Sequence, residues 1–468
     1  MWKNLKSCTK YDFSKSLIQN KMIDYKKFFK DKKVTVVGLG LLGKRLGDIA
    51  FLSECGAKVL VTDLKPSTML RPSLNKLRKY KNIEYVLGEH RLEDFENCDF
   101  VLKGQGVPLD SIYVEHARKN GIPIEMDESL FAKLAPSVKI IGVTGTRGKT
   151  TTTVLIFNIL KAAGLRVHLG GNILGTAALP LLKKVKDGDI VVFELSSWQL
   201  QGFGEEKISP AVSVFTNFMP DHMNYYKDIL EDYYQDKSYI YKFQNKNDVL
   251  VLGPSMKNLV KNHKGQKFTA NVKNIPKSWK ILLKGKHNLE NIACAVEVAR
   301  FLKIKEEIIK KAVENFKTIS GRLELVQNIH GVEIYNDTNS CTPEATSVAL
   351  KALASPKKVF GERKIILIMG GSDKNLDFKN LFKDIGKFVK YLILIPGNGT
   401  ARVMPDLKKI KSVKIYEGKD LKDVVRKAYA LTKKGDIILF SPAFTSFGMF
   451  QNEYDRGDQF MKIIKNLK

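Results

Sequence analysis

Between Gly142 and Thr153 the chain reads GVTGTRGKTTTT, which concentrates the groups that grip phosphate. Glycines let backbone N–H groups wrap phosphate oxygens, Lys149 neutralises their charge, and Thr150 carries a hydroxyl suited to Mg2+. The apolar run VKII precedes this stretch, and VLIFNILKAAG, apolar at helical spacing, follows it. The loop therefore joins a strand to a helix whose positive end adds to the grip. The spacing departs from a standard Walker A loop, because Val143 stands five positions before Gly148 and the glycines fall at 142 and 145. A second turn, Gly38-x-Gly40-x-x-Gly43, has Asp63 at the end of the next strand, the distance at which a carboxylate reaches a ribose hydroxyl. Taken alone, that turn indicates NAD.

Other polar groups gather at strand ends, where open α/β sheets bind ligands. FELSSWQL places Glu194 after an apolar run, and TNFMPDHMNYY does the same for Asn217, Asp221 and His222. These are sensible Mg2+ or phosphate partners, although as surface loop residues they would need no explanation. KGKHNLENIACAVEVA offers His287, Asn288 and Asn291 at a helix start, with Asn288 equally suited to an N-cap. YNDTNSCTPEATSVAL puts Asp337 at a strand end before a helix with Pro343 in its first turn.

The elements that must position these residues fall into three blocks, each alternating apolar strands with helical patterns, which implies parallel sheets covered by helices. We expect an α/β chain with an extension over 1–33, a Rossmann-like domain over 34–137, a central P-loop ATPase-like parallel sheet over 138–317 and a C-terminal Rossmann-like domain over 318–468. A length of 468 residues suits three cores. The five cysteines are scattered without a CxxC pair, which argues against a zinc site or a disulfide framework and for a reducing cytoplasm. The net charge of +29 is mostly lysine in short dispersed clusters, so we expect solvated faces and no nucleic-acid partner. We also expect no membrane span.

The ordered set GVTGTRGKTT, GGNI, ELSSWQL, TNFMPDHMNYY, DKSYIYKFQ, GKHNLENIACA, SGRLELV, YNDTN, GGSDKNLDF and SPAFTSF resembles the Mur ligase superfamily, in particular its D-glutamate-adding members. The resemblance covers Val34 to the C-terminus and accounts for the displaced glycine, since G-x-T-G-T-x-G-K-T is that family's own loop. It implies a three-domain ligase of peptidoglycan assembly that uses ATP, UDP-N-acetylmuramoyl-L-alanine and D-glutamate, with two Mg2+ ions, as a cytoplasmic monomer. ATP would bind at Gly145, Thr146, Arg147, Gly148, Lys149, Thr150 and Thr151, and also at Asn288, Asn291, Arg322 and Asp337. Thr150, Glu194, His222 and Lys237 would hold metal, Lys237 as its carbamate. Gly40, Leu41, Leu42, Asp63 and Asn172 would contact the UDP-substrate, so the first block would bind UDP rather than NAD. Lys374 and Ser446 would hold the amino acid, and Lys149, His222, Lys237 and Lys374 would be catalytic.

Four positions depart from the family pattern. Arg147 stands where Asn or Lys is usual, Asn339 and Cys341 replace a lysine and a threonine after Asp337, and Glu453 replaces a pocket phenylalanine. Losing a cation and gaining an anion opposes a dicarboxylate acceptor by about 1 kcal/mol or more per close charge. A different acceptor amino acid therefore remains open. A folylpolyglutamate-synthetase-like enzyme would leave the first block surplus, an NAD-dependent oxidoreductase would leave the phosphate loop idle, and a nucleic-acid ATPase would lack a base-reading motif.

Overall fold

A computed structural model describes residues 21–40, 43–173, 175–223, 225–260, 263–354 and 364–467. Leu41 and Leu42, and most of the N-terminal extension, lie outside the described residues. The chain forms two units: the first runs to Trp279 and adds Glu290–Val313, and the second holds Lys280–Leu289 and the chain from Glu314 onward.

The first unit carries two sheets. One comprises β1 (Lys33–Val37), β2 (Lys58–Asp63), β3 (Ile83–Leu87), β4 (Phe100–Lys103) and β5 (Ile124–Glu125), in the order β3-β2-β1-β4-β5 and parallel throughout. The other comprises β6 (Lys139–Thr144), β7 (Val167–Gly171), β8 (Ile190–Glu194), β9 (Val212–Phe215), β10 (Val249–Leu252) and β11 (Gln266–Thr269), also parallel, in the order β11-β10-β9-β6-β8-β7. β6 lies between β8 and β9, so the loop after it opens beside the ends of both neighbours. Strands buried on both faces must be apolar throughout, and all five residues of β8 are buried, its terminal Glu194 included.

One apolar cluster runs from the first sheet into the second. Its bridge is the helix Asp127–Leu134, whose Phe131 ring stands edge-on to Phe193 of β8 at 5.3 Å. Burying such a ring completely contributes about 2–3 kcal/mol. On the same helix Asp127 takes Lys44 at 3.1 Å, and Glu128 bonds both Lys44 and Gln199. Burial, reinforced by the Asp127 charge, pushes the Glu128 carboxyl up to about 8.

The second unit holds β12 (Glu324–Ile329), β13 (Val332–Asn336), β14 (Ile365–Gly370), β15 (Val389–Ile395), β16 (Lys414–Glu417) and β17 (Ile437–Phe440), in the order β12-β13-β17-β14-β15-β16. Along β14, Ile365, Leu367 and Met369 join one core while Ile366 and Ile368 join the other, as the two-residue side-chain period requires. This sheet differs from the all-parallel expectation at one edge, where β12 pairs antiparallel with β13. The cause is local: His330 and Gly331 both have positive φ (51° and 83°), the two-residue turn whose twist closes a hairpin.

Candidate active site

In the first unit the phosphate loop leaves β6 and enters the helix Lys149–Ala162. It is clamped by the segment after β9: Thr146 N donates to Asn217 O at 2.9 Å, Arg147 N to Asn217 Oδ1 at 2.8 Å, and Thr216 Oγ1 to Arg147 O at 2.7 Å. Two glycines are required by close approach. A Cβ at Gly145 would stand 2.0 Å from Thr216 Oγ1, and one at Gly148 would stand 2.0 Å from Asn291 Oδ1. Asn291, expected as an ATP contact and buried on the helix Lys286–Phe301, therefore lies against the phosphate loop.

Two lysines converge on this loop. Lys149 Nζ donates to Gly145 O (3.0 Å) and Thr146 O (3.1 Å), and Lys237 Nζ donates to Gly145 O at 3.0 Å from the helix Leu230–Ser238. Lys237 is 1% exposed, with its ammonium over the Tyr233 ring. Burial first, then the Lys149 charge, holds its amine well below the ordinary lysine range. The Asp221 carboxylate pairs with Arg147 at 2.6 Å. His222 follows it, packed on Trp198 at 4.6 Å between ring centroids and lowered in pKa by burial.

Glu194, at the end of β8, is buried, and its Oε2 has no hydrogen-bond partner. An unsatisfied carboxylate oxygen beside a phosphate loop matches what a bound cation neutralises. Asn172 approaches the other oxygen, Nδ2 to Oε1 at 3.5 Å, and its backbone N–H donates to Glu194 O at 2.8 Å. Among the described residues no group of three His, Cys, Asp or Glu side chains could by itself hold a metal ion, so the expected set draws on Thr150 and Lys237 as well.

At the glycine turn of the first sheet, Asp63 is a brace. Its Oδ2 accepts from Leu39 N (2.8 Å) and Gly40 N (3.2 Å), and its Oδ1 from Lys65 N (2.9 Å). Asp63, expected as a contact to the UDP-substrate, thus spends both carboxylate oxygens on backbone N–H groups at the ends of β1 and β2.

In the second unit Asp337 collects Leu323 N (2.9 Å) and the hydroxyls of Ser340 (2.6 Å) and Ser441 (2.7 Å). Burial outweighs these bonds and pushes its carboxyl up to about 6. Arg322 is exposed nearby, while Asn288 Nδ2 caps Lys284 O at 2.8 Å. Lys374 is exposed and Ser446 buried. The charges of Lys374 and Glu453 act with opposite sign on Cys341.

Sequence reasoning missed the roles of two buried groups and one half-buried one. Arg456, fully buried, donates to Thr338 O (2.7 Å), Thr338 Oγ1 (3.1 Å) and Phe444 O (3.1 Å) and approaches Cys341 Sγ at 3.3 Å. Its guanidinium is thus committed away from Glu453, with which it forms no ion pair among the described residues. Lys103, at the end of β4, and Asp236, beside Lys237, also escaped; the only signal was a charge closing an apolar strand, FVLK.

The chain belongs to the Mur ligase family. The Mur ligase middle domain matches residues 143–257, the Mur ligase glutamate ligase domain residues 321–444, and the MurD-like N-terminal domain residues 32–125. Its curated relatives include UDP-N-acetylmuramoylalanine–D-glutamate ligases from Borreliella burgdorferi (35% identical over 94% of this chain and 98% of the relative) and Roseiflexus sp. (33%, over 93% and 98%). The fold is shared with solved Mur ligases. UDP-N-acetylmuramate-alanine ligase from Thermotoga maritima aligns over 93% of this chain and all of its own, with a TM-score of 0.61 at 19% identity. A MurF ligase from Thermotoga maritima in complex with ADP aligns over 96% and 98%, with a TM-score of 0.57 at 19% identity.

Proposed function

We propose that this chain is an ATP-dependent ligase that joins D-glutamate to UDP-N-acetylmuramoyl-L-alanine in peptidoglycan synthesis. The observation that carries the reading is the convergence of Lys149 and buried Lys237 on one loop carbonyl, on a chain whose relatives are D-glutamate ligases. The γ-phosphoryl group of ATP passes to the substrate carboxylate, giving an acyl phosphate and ADP. The amine of the incoming amino acid then adds to the acyl carbon, and the tetrahedral intermediate expels phosphate as the nitrogen gives up a proton to solvent or phosphate and the amide forms.

Both steps bring anions together, so the site's work is charge management and positioning. Lys149, resting on the loop's own carbonyls, transfers its donors to the incoming phosphates. The lowered pKa of Lys237 raises its share of free amine, the form that reacts with CO2 and loses a proton to form a carbamate. Mg2+ held here would supply positive charge to offset the charge of the phosphates and of the substrate carboxylate. Thr150, Glu194, His222 and carbamylated Lys237 would hold it. Braced by Asp63, the turn of the first sheet presents its amides to UDP, with Asn172 toward the muramoyl group, while Lys374 and Ser446 receive the amino acid's carboxylates. The enzyme acts in the cytoplasm, where ATP and the nucleotide substrate reside.

Phosphate release should require ATP, UDP-N-acetylmuramoyl-L-alanine and D-glutamate together, and calorimetry should show binding of the UDP-substrate and none of NAD. Faster turnover with a neutral or cationic amino acid than with D-glutamate would overturn the acceptor, which is the outcome that Glu453 and Asn339 favour. NAD binding would overturn the role of the first sheet.

A further inference from the structure

A second polar network, outside the nucleotide-facing groups, lies in the first unit. Asp236 Oδ2 accepts from Gln201 Nε2 at 2.8 Å and from Tyr226 OH at 3.0 Å. Gln201 in turn presents its Oε1 to Lys103 Nζ at 3.4 Å and donates to Tyr225 OH at 3.1 Å. Lys103, with no exposed surface, completes its shell on the carbonyls of Val107 (2.7 Å) and Gly104 (3.3 Å), at the carboxyl end of β4.

Each part of this network is expensive. Burying an ammonium without a directly paired carboxylate costs free energy that hydrogen bonds only partly return. Asp236 lies in the last turn of its helix, where the helix dipole disfavours an anion. Neither placement serves helix stability. What the network does is fix geometry, because linked hydrogen bonds in a largely buried polar network favour one arrangement over others. Its end is Asp236, the residue before Lys237. Successive helix positions point about 100° apart, so the carboxylate holds Gln201 and Tyr226, and through Gln201 the end of β4, on one side while the amine reaches Gly145 on another.

We propose that Asp236 and Gln201, anchored by Lys103, are positioning residues that hold the Lys237 amine at the phosphate loop and tie it to the carboxyl edge of the first sheet. This rests on Lys237 belonging to the reaction. The network touches no reacting atom and acts only through where Lys237 sits, so it affects turnover more than affinity.

The test is steady-state kinetics of the full chain carrying Asp236→Asn, Gln201→Met, both together, or Lys237→Ala. Each single variant of the network should lower kcat about tenfold, the scale of a sub-ångström misplacement, with KM for ATP and for the UDP-substrate changed less than about twofold. The double variant should be no slower than the slower single one, because the residues act as a unit. Gln201→Met carries the test alone if Asp236→Asn does not fold. Wild-type kcat in the network variants, or a raised KM at unchanged kcat, overturns the inference. An active Lys237→Ala enzyme overturns the reading beneath it, and the two failures are told apart by that variant.

Discussion

Replacing Gly148 by alanine should weaken nucleotide binding by an amount that divides into two separable parts. The residue has φ of +79°, and an alanine held in that left-handed region costs about 1 kcal/mol. The new methyl also meets Asn291, with Oδ1 at 2.0 Å, Cγ at 2.7 Å and Nδ2 at 2.8 Å. Asn291 is 5% exposed, so its amide has little room and must leave its rotamer, at about 1 kcal/mol more. The sum of about 2 kcal/mol corresponds to about a 30-fold weaker Kd for ADP. Calorimetric titration of ADP into wild type, Gly148→Ala, Asn291→Ala and the double variant measures both parts. In the Asn291→Ala background the glycine replacement should cost only the backbone part, about fivefold. Equal losses in both backgrounds would refute the contact between loop and helix, and no loss in either would refute the backbone argument too.

Arg456→Met should destabilise the second unit by about 3 kcal/mol, because buried carbonyls of Thr338 and Phe444 lose their donors. Hydrogen exchange in β13 and β17 reads this, and Arg456→Lys should recover less than half, since one ammonium cannot span acceptors set for a planar fork. Asp337 carries a pH dependence of definite sign. Its folded pKa lies above the ordinary 3.8, so its contribution is complete below that value and is lost as pH rises through about 6. Asp337→Asn should flatten the fall in urea midpoint across that window, and a profile superimposable on wild type would contradict the assignment. Lys149→Met should reduce turnover by about a hundredfold or more, measured as phosphate release, because no other group takes its place on the phosphates.

The phosphate loop, the glycine turn and the alternation of strands and helices were legible in the sequence, since each is a short-range pattern whose spacing carries its own physics, whereas the bonds of Asp63 to that turn's backbone were not. Gly145, Gly148 and Lys149 sit together because they are neighbours in the chain, and Asp63 reaches the turn because one helix and one strand separate them. The His330-Gly331 hairpin was also local, but its signal was one dipeptide inside an alternating pattern that favoured parallel strands. Other features became determinate only in three dimensions. The phosphate loop meets Asn291 from a distant helix, Lys103 reaches Gln201 across 98 positions, and Arg456 crosses 118 to Thr338. Burial decides the state of these charges, and burial belongs to the packed unit rather than to any stretch of chain. Lys237 read alone is an ordinary helical lysine; closed over by Tyr233, beside Lys149 and under Gly145, it becomes an amine held below its usual pKa.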